Sequence, residues 1–167
     1  MPTAFVSNLN DNTRKEMIGL LNDRLADAID LTNAVKEAHW NVKGRGFIGF
    51  HELLDEVADR MRDHSDLMAE RAVILGGLAK GTVQVAAEKS TLEPYPVDLI
   101  DLVGHAAALR DRFIDFGGKL REAIDAAGEA GDEDTADLFT EVSRVIDKDA
   151  WFIGAHAEET GGAATAA

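Results

Sequence analysis

The segment HWNVKGRGFIGFHELLDEVADRMRDHSDLMAER, from His39 to Arg71, carries two pairs of polar residues at helical spacing. His51 and Asp55 are four residues apart, and so are Asp66 and Glu70. That interval stacks the members of a pair on one helix face. Imidazole nitrogens and carboxylate oxygens together ligate divalent first-row metals. On a helical wheel, Asp55, Asp66 and Glu70 fall within about 100° of His51, whereas Leu54, Val57, Met61, Met68 and Leu75 cluster elsewhere. The four polar residues thus share a stripe that faces away from a helical core. Within one chain they cannot share a metal. Asp55 and Asp66 are separated by roughly 16 Å of helix rise, against metal–ligand bonds of only ~2 Å.

The register offers a solution across two chains. The His51–Glu70 and Asp55–Asp66 pairs are both centred between residues 60 and 61. Packing this helix antiparallel on its own copy brings His51 level with the partner's Glu70 and Asp55 level with the partner's Asp66. Twofold contacts are self-complementary, so one interface yields two equivalent sites. His39 adds a ligand at the end of the preceding stripe of Thr32 and Val35. His39, His51 and Asp55 then make two histidines and one carboxylate, a set that suits iron(II) and leaves positions open for an oxidant. Asp66 and Glu70 complete a hard oxygen shell and can hold a second iron. Trp40, beside His39, is placed to donate an electron there. His64 falls on the apolar side near Met61 and Met68 and reads as structural. His105 and His156 have no metal-ligand spacing and read the same way.

Four long helices position these groups. Thr13-Arg14-Lys15-Glu16 has the form of a capping box and predicts the start of the first helix. Met17, Leu21, Leu25, Ala28, Thr32 and Val35 form its apolar stripe, and Gly44 and Gly46 end it. A second helix is expected from about Ile48 to Leu75, stopped by GGLAKG. The stretch TVQVAAEKSTLEPYPVD is a connection with one short helix, closed by Pro94 and Pro96. A third helix is expected from about Val97 to Ala127, with Ile100, Val103, Ala107, Phe113, Leu120 and Ile124 inward. Gly117 and Gly118 inside it would fit a tight helix crossing. A fourth is expected from about Glu133 to Glu158. The chain therefore reads as all-α and single-domain: a short tail over 1–12, a four-helix bundle over 13–158 and a disordered tail over 159–167. One long crossover between the second and third helices is the ferritin-like layout. The sequence has no Glu-x-x-His, which argues against an intrachain di-iron site and against a haem-binding member of that fold.

Composition narrows the function classes. There is no cysteine among the 167 residues, which removes disulfides, thiolate metal sites and cysteine nucleophiles. No apolar run reaches membrane-spanning length and no signal peptide is legible at the N-terminus, so a cytoplasmic location is expected. The formal net charge of −14 suits cations and repels nucleic acid.

The stretches KEAHWNVKGRGFIGFHELLDE and DHSDLMAERAVILGG, together with GTVQV, YPVD, DEDTADLF and DKDAWFI, closely resemble the signature of the Dps family, the mini-ferritins called DNA-binding proteins from starved cells. The resemblance runs from about Leu31 to Glu158. It implies a hollow homo-dodecamer whose twofold interfaces hold ferroxidase sites. Such a protein oxidises iron(II), preferentially with hydrogen peroxide, and stores the ferric product as mineral. Two electrons from two iron(II) ions then reduce one peroxide to water without releasing hydroxyl radical. Carried over by residue, the resemblance implies His39, His51 and Asp55 from one subunit with Asp66 and Glu70 from its neighbour, and puts Trp40 close to the iron. It also implies threefold iron-entry pores lined from the start of the fourth helix, with Asp134 and Asp137 preferred over Asp132 and Glu133. The acidic cluster also suits the helix macrodipole.

The family name raises a second class, a structural protein that compacts DNA. Lysine-rich tails often carry that role, but here no lysine or arginine precedes Arg14 or follows Lys148. Weak or absent DNA binding is expected.

Overall fold

The computed structural model describes residues 2–158; the expected tail over 159–167 lies outside the described residues. Five helices follow in order: α1 Asp11–Asn41, α2 Phe47–Ile74, α3 Val83–Lys89, α4 Leu102–Glu129 and α5 Glu133–Gly154. Short turns join α1 to α2 and α4 to α5, making two helical hairpins. These pack with α1 against α4 and α2 against α5, while short α3 lies on α1. The four long helices enclose one core in which Leu21, Leu31, Phe50, Met61, Phe113, Phe116 and Phe139 are fully buried.

The first helix starts earlier than the capping box predicts. Asn10 is the N-cap, its side-chain oxygen accepting from the backbone N–H groups of Asn12 and Thr13. Thr13 is buried in the first turn, and its hydroxyl donates to the Ala130 carbonyl at 3.2 Å, across the bundle. Tertiary contact has claimed the hydroxyl that the local pattern assigned to capping.

The start of α4 is also corrected. Residues 97–101 do not continue a helix; Asp101 caps α4 by accepting from the Gly104 N–H at 2.7 Å. The Lys43 N–H donates to the Ile100 carbonyl at 2.8 Å, tying the end of the crossover to the α1–α2 turn. Ile100 and Val103 are consequently 57% and 54% exposed rather than inward. Of the two helix-interior glycines, Gly117 faces α5, where an added Cβ would stand 3.4 Å from the Asp147 carboxylate, and Gly118 faces open space.

Buried polar residues fasten the crossover. Asp27 is fully buried, pairs with Arg24 at 3.0 Å and accepts from both the N–H and the hydroxyl of Thr91. Among the described residues no helix is long and apolar enough to cross a membrane.

Candidate metal centre

Two helix ends build the centre. His39 lies in the last turn of α1 and His51 in the second turn of α2. The turn between them passes through Gly46, which caps α2 at φ +80°, a left-handed conformation that glycine adopts without steric cost. This reversal lays the two imidazoles face to face, with ring centroids 3.6 Å apart and planes 19° apart.

The rings lock each other's orientation. His39 Nδ1 is 2.8 Å from the His51 carbonyl, and His51 Nδ1 is 2.8 Å from the His39 carbonyl. A carbonyl only accepts, so each Nδ1 carries its proton and donates. In the neutral rings, both Nε2 lone pairs are therefore left as ligand atoms, the arrangement by which an outer hydrogen bond fixes a metal-binding tautomer. Asp55, one turn after His51, completes a group whose ligand atoms all lie within 4.8 Å of one another. Its Oδ1 stands 3.5 Å from His39 Nε2.

Lys36 is the contact that spacing arguments missed. Its Nζ lies 2.5 Å from Asp55 Oδ1, and this ammonium, helped by the two imidazoles, holds the Asp55 carboxyl below the usual carboxylate range. Lys36 precedes His39 by three residues on the same helix face, a signal available in the sequence. A cation already rests on the carboxylate that a metal would use. Replacing Lys36 with Met is expected to tighten binding of redox-silent zinc(II) by roughly fivefold. Isothermal titration of the two proteins checks this; weaker binding in Lys36→Met would mean that the lysine holds Asp55 in place.

Asp66 and Glu70 do not join this group within the chain. They are exposed further along α2, on the same stripe as Asp55 and away from Leu54, Val57, Met61 and Met68, which are fully buried. Each borders an open groove with apolar walls: Leu25, Ile29 and Val83 near Asp66, and Val73 and Ile74 near Glu70. Val73 and Val83 are 46% and 68% exposed. Trp40 is exposed, with Lys36 Nζ 5.8 Å from its ring centroid.

The acidic cluster divides. Asp132 is buried and its carboxylate is fully engaged, with Arg71 at 2.7 Å, the Thr135 hydroxyl at 2.6 Å and the Thr135 N–H at 3.1 Å. It caps α5 and offers no free charge, so its expected place in a pore lining is corrected to a structural one. Glu133, Asp134 and Asp137 are exposed.

His64 and His105 are buried, as a structural reading expects, though among the described residues neither ring nitrogen of His64 has a hydrogen-bond partner. His156 is exposed, its Nδ1 2.8 Å from the Phe152 carbonyl and its ring 5.0 Å from that of Phe50.

Comparison with known proteins agrees with this architecture. A family model described as a ferritin-like domain matches residues 18–162. A DNA protection during starvation protein of Agrobacterium fabrum is 44% identical over 153 residues, covering 92% of this chain and 94% of its own length. A protein of the same name from Mycolicibacterium smegmatis is 30% identical over 167 residues, covering 99% of this chain and 90% of its own length. Among solved structures, Mycobacterium smegmatis Dps in a tetragonal form superposes with a TM-score of 0.90 at 31% identity, covering 99% of this chain and all of that one. DpsA14 from Streptomyces coelicolor gives 0.90 at 33% identity, covering 99% of this chain and 98% of that one. With a ferritin-like bundle, a histidine–carboxylate group at the α1–α2 turn and relatives of this similarity over nearly its whole length, the chain belongs to the Dps branch of the ferritin-like family.

Proposed function

We propose that this protein is a ferroxidase and iron-storage subunit of a hollow homo-dodecamer, oxidising iron(II) preferentially with hydrogen peroxide and retaining the ferric product as mineral. Its cargo ions bind His39, His51 and Asp55 of one subunit together with Asp66 and Glu70 of the twofold-related subunit. The observation that carries this reading is the reciprocal locking of His39 and His51, which leaves two Nε2 lone pairs beside a carboxylate. Two nitrogen donors and one oxygen donor suit iron(II) and leave coordination positions for peroxide. The grooves beside Asp66 and Glu70 support the sharing. Their apolar walls favour burial, and a second copy placed there would cover them while carrying the two acids to the partner's imidazoles.

The chain's own groups then have separate tasks. The imidazoles orient the iron, and Asp55 neutralises charge as iron(II) becomes iron(III). Lys36 is displaced from Asp55 when the metal arrives. Asp134 and Asp137, with Glu133, supply the negative field that draws iron(II) in from solvent. Trp40 serves as a nearby electron donor. The cytoplasm is the proposed location.

The deciding experiment loads the protein anaerobically with iron(II), adds hydrogen peroxide once and follows near-ultraviolet absorbance. A fast rise consuming about two irons per peroxide supports paired-iron chemistry. A rise no faster than in buffer refutes it.

Relatives bear DNA protection in their name, which peroxide removal satisfies without contact with DNA. Twelve copies of −14 carry a formal charge of −168, so direct binding to phosphates is unfavourable. A gel shift at low salt without divalent metal is expected to show free DNA. A tight complex there would establish a basic surface and revive the DNA-compacting alternative.

A further inference from the structure

The YPVD segment at the end of the crossover is unused by the metal centre, yet it places the chain's only tyrosine against a buried histidine. Tyr95 Oη lies 2.6 Å from His105 Nδ1, and the rings are within 9° of parallel with centroids 6.1 Å apart. His105 is 1% exposed, and its Nε2 has no hydrogen-bond partner among the described residues. Burial pushes the Tyr95 hydroxyl far above its usual range and the His105 imidazole below its own. The pair therefore rests as a phenol donating to a neutral imidazole, with the ring proton on Nε2. The Arg112 guanidinium stands 5.0 Å from the centroid of the Tyr95 ring.

Position relates this pair to the iron site. Tyr95 borders α1 at Leu31 and Ala34, and Glu37 lies close enough to Tyr95 and His105 to act on both electrostatically. His39 follows Ala34 by five residues, about 140° around the helix. The pair and the imidazoles of the metal centre thus face opposite sides of α1, about one helix diameter apart across it and about 7.5 Å along it, roughly 13 Å in all. Electron transfer through protein operates over that span, whereas direct contact does not.

We propose that Tyr95 and His105 form a proton-coupled electron donor that completes peroxide reduction when only one iron(II) is bound, an inference that rests on the ferroxidase reading above. Breaking the peroxide O–O bond to two hydroxides needs two electrons. One iron(II) supplies the first as it becomes iron(III). Tyr95 supplies the second, and its phenolic proton passes along the existing hydrogen bond to His105 Nδ1. The products are iron(III), two hydroxides, a neutral tyrosyl radical and an imidazolium, with the net charge unchanged at +2. A later iron(II) returns one electron to the radical, the proton moves back from Nδ1 to the phenolic oxygen, and the pair is restored.

The surroundings select this coupled route. Arg112 over the ring disfavours a tyrosine radical cation, so the proton must leave with the electron. His105 Nδ1 is the acceptor in place. The backbone at Leu99 favours the protonated ring, partly offsetting the burial that opposes it.

Two measurements test the pair. In the first, protein grown on ring-deuterated tyrosine is loaded with limiting iron(II), mixed with excess peroxide and freeze-quenched for electron paramagnetic resonance. Because there is one tyrosine, any signal whose hyperfine pattern changes with the label belongs to Tyr95. Such a signal is expected in the native protein and lost in Tyr95→Phe, which keeps the ring against Arg112. Spin-trapped hydroxyl radical should rise in that variant while iron oxidation under excess iron(II) persists. Normal iron oxidation with radical only on tryptophan, or with none, overturns the proposal. In the second, flash-generated ruthenium(III) tris-bipyridine oxidises the metal-free assembled protein. Tyr95 oxidation is expected to slow in deuterium oxide and to slow further in His105→Gln; equal rates in native and His105→Gln protein overturn the proposal whatever happens with iron. Failure of iron oxidation under every condition instead removes the ferroxidase reading, and the ruthenium measurement still decides the pair.

Discussion

Neither His51→Ala nor the double variant Asp66→Asn, Glu70→Gln is expected to oxidise iron(II) with peroxide above the rate in buffer, yet a mixture of the two should. Removing groups that merely support metal ligands costs roughly 10–100-fold, so removing the ligands themselves costs more. The recovery follows from symmetry. In a twofold pair made of one subunit of each kind, one site combines both defects and the other combines none. If the two variants are unfolded together in equal amounts and reassembled at random, half of the pairs are mixed, and about a quarter of all sites regain every ligand. The checking measurement is the initial absorbance rise after one peroxide addition, compared with each variant reassembled alone. Assembled but inactive mixtures would show that the five groups do not meet across subunits. Activity in either variant alone would show that the ligand set is wrong.

The sequence carried the parts of this picture that depend on local period. Leu54, Val57, Met61 and Met68 are fully buried and Asp55, Asp66 and Glu70 exposed, as a 3.6-residue repeat requires. Boundaries were less legible because remote groups decide them. The Thr13 hydroxyl, a capping group in a local reading, is taken by Ala130, and Asn10 caps instead. Proline spacing points to a start for α4 near Val97, but Val97 and Asp98 form a turn, and the Lys43–Ile100 hydrogen bond ties the chain to the α1–α2 turn just before Asp101 caps α4. At the metal centre, residue types and intervals point to His39, His51 and Asp55, and the fold gathers them. The mutual carbonyl bonds that set both ring tautomers depend on how the Gly46 turn folds, and no spacing rule encodes them. Asp132 reads from the sequence as a second-choice pore residue behind Asp134 and Asp137; its burial and its bonds to Arg71 and Thr135, which no local pattern encodes, make it a helix cap instead.

Arg60→Ala is expected to be among the most destabilising single substitutions. Arg60 on α2 reaches Asp149 on α5 through Nη2 at 2.7 Å and Nε at 3.2 Å. Asp149 is fully buried, so removing Arg60 strands an unpaired carboxylate in the core. Such losses cost 3–5 kcal/mol, and with the Arg60 side chain 31% exposed the lower end applies, about 3 kcal/mol. For a chain of this size that lowers the melting temperature by roughly 6–12 °C. The loss should depend on pH through His64, one turn beyond Arg60, whose buried ring nitrogens have no hydrogen-bond partner among the described residues. Burial holds the His64 imidazole below its ordinary value of 6.5; Asp149 pushes it up and Arg60 pushes it down. A depressed imidazole contributes its full stability above that ordinary value and loses it as the pH falls. Without Arg60 the downward push disappears and the Asp149 carboxylate is unopposed, so the His64 value rises and its acid penalty shrinks. The imidazolium can then serve as the missing counter-ion. The melting-temperature gap between native and Arg60→Ala protein should therefore narrow from about pH 8 to about pH 5, either side of the ordinary imidazole range. Adding His64→Leu to both proteins should remove the narrowing. A gap of equal size at both pH values would show that His64 does not answer the Asp149 charge, and that the α2–α5 contact is held by Arg60 alone.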